Sequence, residues 1–460
     1  MSYRQRVTGI YLLGFFIDLV NMFIANVAYP DIAQQLDVSI NQLSWVSNGY
    51  LIGLTVVIPM SSWLAKKWGA KYLFMISLVI FITGTSGVTV ASGITQLVGW
   101  RVVQGLGGGL LIPVGQTLTY ALYPSHQRAK LSTIVMLVAL MAPALSPAIG
   151  GVVVEQLGWR WVFLVSLPLA VITLFLTLVW LKPDEKSKET GALDITGLIT
   201  GCSALILLLL GLTQLGEKSH FYQGSILFIL GLVTMGGYVR SSLVKRAPLL
   251  NLRLIREPTL HTAMLIYQLI PGIFTGVNLI TILYLQNQLG MPTFRIGALM
   301  LPWAIASFFA ITLSGKKFSS LGPRPIFIFG CLMQALGIGL LTQVVHPEAI
   351  MLSIIAYSLM GFGGSLCSST AQSVAFINIK NHDLAEASAL WNINRQLSFC
   401  SGVTLMSVLL NTLQRISFIK PTDAYHLCFT LAALSAVIPI LLSLKMNNHK
   451  IILNANEENK

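Results

Sequence analysis

One acidic residue, Asp18, lies deep inside an apolar segment that is long enough to cross a membrane, between Val7 and Tyr29. The other Asp and Glu residues fall in loops, at the edges of such segments or in the C-terminal tail. A carboxylate at membrane depth is costly unless it is protonated, paired or hydrated, so such residues usually belong to functional sites. Asp18 is therefore a candidate site for a proton or cation whose movement is coupled to transport.

The elements that must position Asp18 are transmembrane helices. The chain has 460 residues, of which 55% are hydrophobic and 10% charged, whereas soluble domains carry about 25% charged residues. Runs of about 17–25 apolar residues can cross a bilayer as helices. Fourteen such runs are predicted, at residues 7–29, 43–64, 72–92, 95–119, 130–154, 160–181, 194–215, 222–243, 260–285, 295–314, 325–344, 348–372, 387–411 and 424–445. The predicted fold class is an all-α polytopic membrane protein.

The net charge of +13 is explained by membrane topology rather than by nucleic-acid binding. Of the 29 Lys and Arg residues, 22 lie on the side of both termini, in alternate loops and in the terminal segments, and 5 lie on the opposite side. Cytoplasmic loops of membrane proteins carry an excess of Lys and Arg. Both termini are therefore predicted to be cytoplasmic, in a protein of the cytoplasmic (inner) membrane whose surroundings are the lipid bilayer.

Catalytic and metal-binding motifs are not expected in this chain. The five cysteines lie within apolar segments without CxxC spacing, which favours small buried hydrophobes over disulfides or metal ligands; they are Cys202, Cys331, Cys367, Cys400 and Cys428. The His residues are scattered, and there is no nucleophile–base motif or phosphate-binding loop. We therefore expect neither an enzyme nor a cofactor.

The chain repeats itself. A shift of 256 residues aligns the glycine run at 105–108 with that at 361–364, and a shift of 253 aligns the basic loop 62–71 with 315–324. Parallel six-span repeats occur in one large transporter class, with the substrate site between the halves. The predicted divisions are a first bundle at 1–182, a linker with two inserted helices at 183–258, a second bundle at 259–446 and a tail at 447–460. The glycines are also explained by close helix packing alone.

Several motifs resemble those of one transporter family. They are the loop Ser62–Lys71, Arg101 with Gln104 and Gly105, the fifth-span run Ala142–Gly151, the sixth-span opening Trp159–Leu164, and Asn26, Ala28 and Pro30 of the first span. On these motifs the chain resembles the fourteen-span drug:proton antiporter branch of the major facilitator superfamily along nearly its whole length. The resemblance implies alternating access and export in exchange for protons. It leaves open a periplasmic adaptor and an outer-membrane channel as partners.

Two arginines lie inside apolar segments, and an arginine there must find an acceptor or water. The resemblance gives Arg101 a part in proton coupling together with Asp18. The alternative for Arg101 is a side chain that reaches towards the membrane interface. Arg395 is similar but lies nearer the cytoplasmic end of its segment, and there the interfacial position is the preferred interpretation.

The fifth-span motif predicts a gate. Pro143 and Pro147 each remove a backbone hydrogen bond and kink a helix, and Gly150 and Gly151 would let a neighbouring helix approach closely. A generic proline-kinked helix is the alternative. The family resemblance implies export, because this motif marks antiporters.

Two departures from the family pattern concern charge. The cytoplasmic loop motif comprises Lys66, Lys67, Gly69 and Lys71, and its usual acid is replaced by Lys66 in one copy and by Ser319 in the other. This loss should weaken the contact that closes the cytoplasmic side, or move it to other residues. The first-span acid is also displaced, because Asn21 occupies its usual position and Asp18 lies about one helical turn earlier. Asp18 then either keeps proton coupling or serves as a structural or substrate-contacting residue.

The substrate is only broadly indicated. Polar and aromatic residues of the spans are candidates for the cavity wall, although each also suits plain helix packing; they are Asn21, Asn48, Tyr50, Gln104, Gln116, Tyr267, Gln268, Asn278, Tyr284 and Tyr357. Such a wall suits small amphipathic, drug-like molecules. With one buried acid and two arginines, doubly cationic drugs fit poorly, whereas monocationic, neutral or anionic molecules remain open. The alternatives are export of an anionic metabolite or siderophore, uncoupled facilitation, and a scaffold or receptor with a transporter fold.

Overall fold

The computed structural model describes residues 2–38, 40–182, 193–216, 219–245, 248–416, 419–448 and 451–452. These residues form helices and no strand. Fourteen long helical segments follow one another: α1 Tyr3–Ile24, α2 Trp45–Trp68, α3 Ala70–Val90, α4 Ile94–Tyr120, α5 Ser125–Leu157, α6 Trp159–Trp180, α7 Ile195–Leu215, α8 Phe221–Val244, α9 Pro258–Asn287, α10 Arg295–Leu321, α11 Pro323–Gln343, α12 Ile350–Ile377, α13 Asn381–Leu413 and α14 Pro421–Leu444.

Thirteen of these segments are long and apolar enough to cross a membrane, within the described part of the chain. The remaining segment, α5, has 33 residues and lies where the fifth span is predicted. The predicted order of spans and the all-α fold class are confirmed. Most of the predicted linker and tail lie outside the described residues.

The first span ends earlier than residue 29. A capping box of Ser2 and Gln5 starts α1, and after Ile24 the chain tightens into a 3-10 turn, Ala25–Ala28, before a short helix, Tyr29–Leu36. Pro30 lies near the start of that short helix, where proline is tolerated because its missing N–H has no helical partner there.

The aligned glycines occupy equivalent places in the two copies. Gly69 and Gly322 both have positive φ, 88° and 73°, and each ends one helix and begins the next. A Cβ added at Gly105 would strike the backbone of α2, and one added at Gly361 would strike the backbone of α10. The two copies therefore share the same helix packing at these positions, because both glycines permit a close approach of the neighbouring helix.

The inserted pair α7 and α8 packs mainly on itself, and α7 also contacts α2 and α13. Thr404 of α13 donates a hydrogen bond to the Leu212 carbonyl of α7 at 2.6 Å. The Nζ atom of Lys245 lies 2.5 Å from Asp194, so an ion pair joins the two ends of the insert. The insert thus borders the line along which the two bundles meet.

Among the described residues, buried apolar clusters join the two bundles near one side of the membrane. We call the side that carries the chain termini and most Lys and Arg residues the basic side. Near it, one buried cluster combines both bundles, with Tyr11, Phe15 and Tyr120 from the first and Tyr267 and Trp391 from the second. Towards the opposite side, the described residues form separate clusters, one within each bundle. The structure is therefore closed on the basic side.

Candidate functional site

Asp18 lies in the middle of α1 and is 1% exposed. The Tyr50 hydroxyl of α2 donates a hydrogen bond to its Oδ1 atom. Its Oδ2 atom is buried and has no hydrogen-bond partner among the described residues. Gly108 of α4 makes room for this contact, because a Cβ there would collide with Asp18 Oδ1 and the Tyr50 hydroxyl. A buried carboxyl group with one unsatisfied oxygen is suited to holding a proton.

Arg101 of α4 is fully buried and has several partners. Its Nη1 atom donates to Asn21 Oδ1 at 2.7 Å and to Gln104 Oε1 at 2.6 Å, and its Nε atom donates to the Val46 carbonyl at 3.1 Å. Its guanidinium carbon lies 4.4 Å from the centre of the Tyr50 ring. The side chain does not reach towards the interface, so that alternative is not observed.

Asn21 links Arg101 to the sixth span. Its Nδ2 atom donates to the Ser166 hydroxyl at 3.0 Å, while its Oδ1 atom accepts from Arg101. Gln104 extends the same network by donating to Thr85 at 2.8 Å. The position that the family usually gives to an acid thus holds a neutral acceptor for Arg101, and the acid itself bonds to Tyr50.

Both membrane arginines act on Asp18 through their charge, although neither forms an ion pair with it. Arg395 of α13 is partly buried, and its guanidinium carbon lies 5.4 Å from the centre of the Phe15 ring. Burial favours the neutral acid, whereas nearby positive charge favours the carboxylate. The protonation of Asp18 therefore depends on how much water and charge reach it.

The predicted cavity residues fall into two groups. Six of them lie either in the hydrogen-bond network of Asp18 and Arg101 or near the line where the bundles meet: Asn21, Tyr50, Gln104, Gln116, Tyr267 and Gln268. Gln116 accepts a hydrogen bond from Asn392 of the other bundle at 3.1 Å. By contrast, Tyr284 and Tyr357 are buried in a cluster that lies within the second bundle. Tyr284 donates to the Val344 carbonyl at 2.8 Å, which suits packing rather than substrate contact.

Two predicted residues have no described polar contact. Asn48 is half-buried on α2. Asn278 is half-buried on α9, and its Oδ1 atom has no hydrogen-bond partner among the described residues. Neither residue is joined to the Asp18 network by a described hydrogen bond.

The cytoplasmic loop motif carries a contact of reversed charge. Lys66, at the position of the lost acid, lies 2.6 Å from Glu386 Oε1 in the first turn of the α-helical part of α13. Glu386 itself lies at the positive end of that helix dipole. Lys67 rests over the Trp63 ring, and Lys71 donates to the carbonyls of Leu178 and Leu181 at the end of α6. Lys66 and Glu386 therefore join the two bundles on the basic side.

Arg128 joins the bundles in a way that sequence reasoning missed. It lies near the start of α5 and donates to the Phe376 and Ile379 carbonyls at 3.0 and 2.7 Å, and to Asn381 Oδ1 at 2.7 Å. The two carbonyls lie at and just beyond the end of α12, where unpaired carbonyls and the helix dipole attract a cation, and Asn381 is the first residue of α13. In the sequence, Arg128 is one of several basic residues in a loop, and no pattern there points to this contact.

The gating motif is only partly described. Helix α5 continues without interruption through Pro143. A Cβ added at Gly151 would meet no atom within 4 Å, so the prediction of close packing at Gly151 is wrong in this state. Gly150 is buried. The side chains of Pro147, Asn26 and Pro30 lie outside the described residues.

The family follows from comparison with known proteins. Residues 11–403 match the profile of the Major Facilitator Superfamily. The chain belongs to this superfamily. It is a multi-pass membrane transporter, and its motif resemblance is confirmed at the level of the superfamily.

Relatives and solved structures agree with this assignment. The chain is 28% identical over 434 residues to proteins of Yersinia pestis (strain Pestoides F) and Yersinia pseudotuberculosis serotype O:3 (strain YPIII), each described as a candidate multidrug resistance protein, MdtD; 93% of this chain and 92% of each relative are covered. The human organic anion transporter MFSD10 (TETRAN) has a similar fold, with a TM-score of 0.69 and 12% identity, covering 96% of this chain and 100% of that one. The proton:xylose symporter XylE gives a TM-score of 0.67 and 14% identity, covering 97% of this chain and 96% of that one.

Proposed function

We propose that this transporter exports small amphipathic, drug-like molecules across the cytoplasmic (inner) membrane in exchange for protons. The observation that carries the proposal is Asp18, a buried carboxyl group with one oxygen bonded to Tyr50 and the other unsatisfied. An acid kept at membrane depth without a permanent cationic partner can take up and release a proton during the transport cycle.

Tyr50 connects proton binding to the arginine network. Its hydroxyl bonds to Asp18, and its ring lies against Arg101. Protonation of Asp18 removes a negative charge near Arg101 and changes what the Tyr50 hydroxyl can donate to. Because α1, α2 and α4 each contribute one of these residues, a change at Asp18 reaches three helices of the first bundle.

Alternating access would use the contacts on the basic side. Lys66 with Glu386, and Arg128 with the end of α12, hold the two bundles together there. These contacts must break when the transporter opens to the cytoplasm. Contacts that close the opposite side must then form in their place. A proton on Asp18 would change the balance between the two states by changing charge at the centre of the first bundle.

The orientation in the membrane and the direction of transport are inferred from separate observations. The excess of Lys and Arg on the basic side assigns it, with both termini, to the cytoplasm. The fifth-span motif Ala142–Gly151 resembles that of antiporters, which favours export. The relatives described as candidate multidrug resistance proteins favour a drug-like substrate. An adaptor and an outer-membrane channel remain expectations from the family.

The test uses purified protein in liposomes with an imposed pH gradient and a panel of fluorescent amphipathic compounds. We expect gradient-driven movement of at least one compound, and we expect Asp18→Asn to abolish the response to the gradient. Asp423→Asn, which alters an exposed acid at the start of α14, is the matched control and should behave as the wild type. Gradient-driven transport that survives in Asp18→Asn would disprove the role of Asp18.

A further inference from the structure

Arg395 lies in the middle of α13 and has no hydrogen bond or ion pair with any described residue. Its one described contact is with Phe15 of the other bundle, 5.4 Å from ring centre to guanidinium carbon. It is the twelfth residue of the helix Leu384–Leu413, about 17 Å from the start of that helix. A guanidinium group at this depth cannot lose its proton and requires an acceptor or water.

The direction of the side chain rules out the preferred interpretation from sequence. A side chain that reached towards the cytoplasmic interface would leave the line where the bundles meet, whereas Arg395 contacts Phe15 in the middle of α1. Asp18 is not its partner either, because Oδ1 is bonded to Tyr50 and Oδ2 has no hydrogen-bond partner. Arg395 is thus a cation between the bundles whose acceptor does not come from the described protein.

A second donor without an acceptor lies on the same face of α13. Trp391 is one turn before Arg395, so the two side chains share that face. Trp391 is 1% exposed, and its indole Nε1 atom has no hydrogen-bond partner among the described residues. Buried donors are nearly always paired in proteins, so a buried indole N–H without an acceptor, beside a partly buried arginine, is consistent with a ligand that supplies an acceptor to both.

Aromatic rings surround these donors. The ring centre of Tyr267 lies 5.0 Å from that of Trp391 and 6.2 Å from that of Phe399. Trp391 lies one helical turn before Arg395, and Phe399 lies one turn after it. An arginine among aromatic rings fits an anionic group attached to an apolar or aromatic body.

We propose that Arg395 binds the anionic group of the transported molecule, with Trp391 as a second donor, so that the preferred substrates are amphipathic organic anions with a carboxylate or sulfonate. This inference rests on the proposed function, since it names the substrate class of the same central site. Arg395 lies over the ring of Phe15, which is about one helical turn before Asp18 on α1, so a molecule bound to Arg395 would lie near the residue that holds the proton.

The test compares two probes with the same aromatic body, 1-anilinonaphthalene-8-sulfonate and the uncharged N-phenyl-1-naphthylamine. Binding to the full chain in lipid nanodiscs is measured by equilibrium dialysis, and binding to empty nanodiscs is subtracted. We expect Arg395→Gln to weaken binding of the sulfonate by about 10- to 100-fold, the range for a lost hydrogen bond to a charged group. Binding of the uncharged probe should stay within about twofold. Arg395→Lys should retain part of the preference for the anion, and Arg415→Gln, an exposed arginine just beyond α13, should have no effect.

Three results would overturn the inference: equal loss of both probes in Arg395→Gln, unchanged sulfonate binding in that variant, or a wild type that prefers the uncharged probe. The change in the number of bound protons when the probe binds, measured in the same samples, tests the proposed function separately. If Arg395→Gln loses sulfonate binding while the wild type binds the sulfonate without any change in bound protons, the role of Arg395 stands and proton coupling is rejected.

Discussion

Arg101 and Arg395 are both arginines inside membrane helices, yet their surroundings differ. Arg101 is fully enclosed, with Asn21, Gln104 and the Val46 carbonyl as acceptors. Arg395 is partly buried at the line between the bundles, lies over the Phe15 ring, and has no hydrogen bond or ion pair with a described residue. A buried charge whose donors are satisfied belongs to the framework of the fold, whereas one without acceptors is available to a ligand. Sequence position alone does not distinguish these two roles.

The largest expected effect is the difference between the two arginines in how much each contributes to the stability of the protein. Arg101→Gln leaves Asn21, Gln104 and the Val46 carbonyl without their donor, and each buried acceptor left unpaired costs about 1–3 kcal/mol, so we expect a loss of about 3 kcal/mol or more in the free energy of unfolding. Arg395→Gln removes no described hydrogen bond and should change that free energy by no more than about 0.5 kcal/mol. Reversible unfolding in mixed detergent micelles measures both values. Equal destabilisation by the two variants would contradict the claim that Arg101 belongs to the framework of the fold and Arg395 does not.

A smaller effect is expected at the glycine beside Asp18. Gly108→Ala forces a Cβ against Asp18 and Tyr50, so we expect a loss of about 1–3 kcal/mol in unfolding free energy together with loss of gradient-driven transport. Gly99, on the same helix, has no atom within 4 Å of an added Cβ. Gly99→Ala should therefore be neutral or stabilise the protein by up to about 1 kcal/mol. Normal transport in Gly108→Ala would show that the Asp18–Tyr50 contact is dispensable.

The smallest effect concerns the contact between the bundles on the basic side. The Lys66 side chain is 45% exposed, so its pair with Glu386 is worth about 0.2–1 kcal/mol. Lys66→Asp and Glu386→Lys should each reduce the population closed on this side, because like charges then face each other, and the double variant should restore it. Double electron–electron resonance between labels on the two bundles measures these populations. Lys67→Asp is the control, since Lys67 contacts Trp63 of its own helix; failure of the double variant to recover would contradict the pairing.

Much of the fold could be predicted from the sequence, because a membrane imposes length and apolarity on each helix. The order of the spans, and the close helix packing at Gly105 and at Gly361, follow from those rules. The site was less predictable, since single residues change their role with their neighbours. Asp18 was identified by its isolation, but its bond to Tyr50 depends on how α1 and α2 pack. Glu386 and Arg128 were missed because contacts between distant loops leave no pattern in the sequence.

The most direct test of proton coupling at Asp18 is the change in bound protons when a substrate binds to the purified protein. The experiment adds a transported compound to the wild type, Asp18→Asn and Asp423→Asn in weakly buffered detergent solution and records the pH. We expect the pH to change with the wild type and with Asp423→Asn, and to stay constant with Asp18→Asn. An equal pH change with Asp18→Asn would contradict the claim that Asp18 carries the coupled proton.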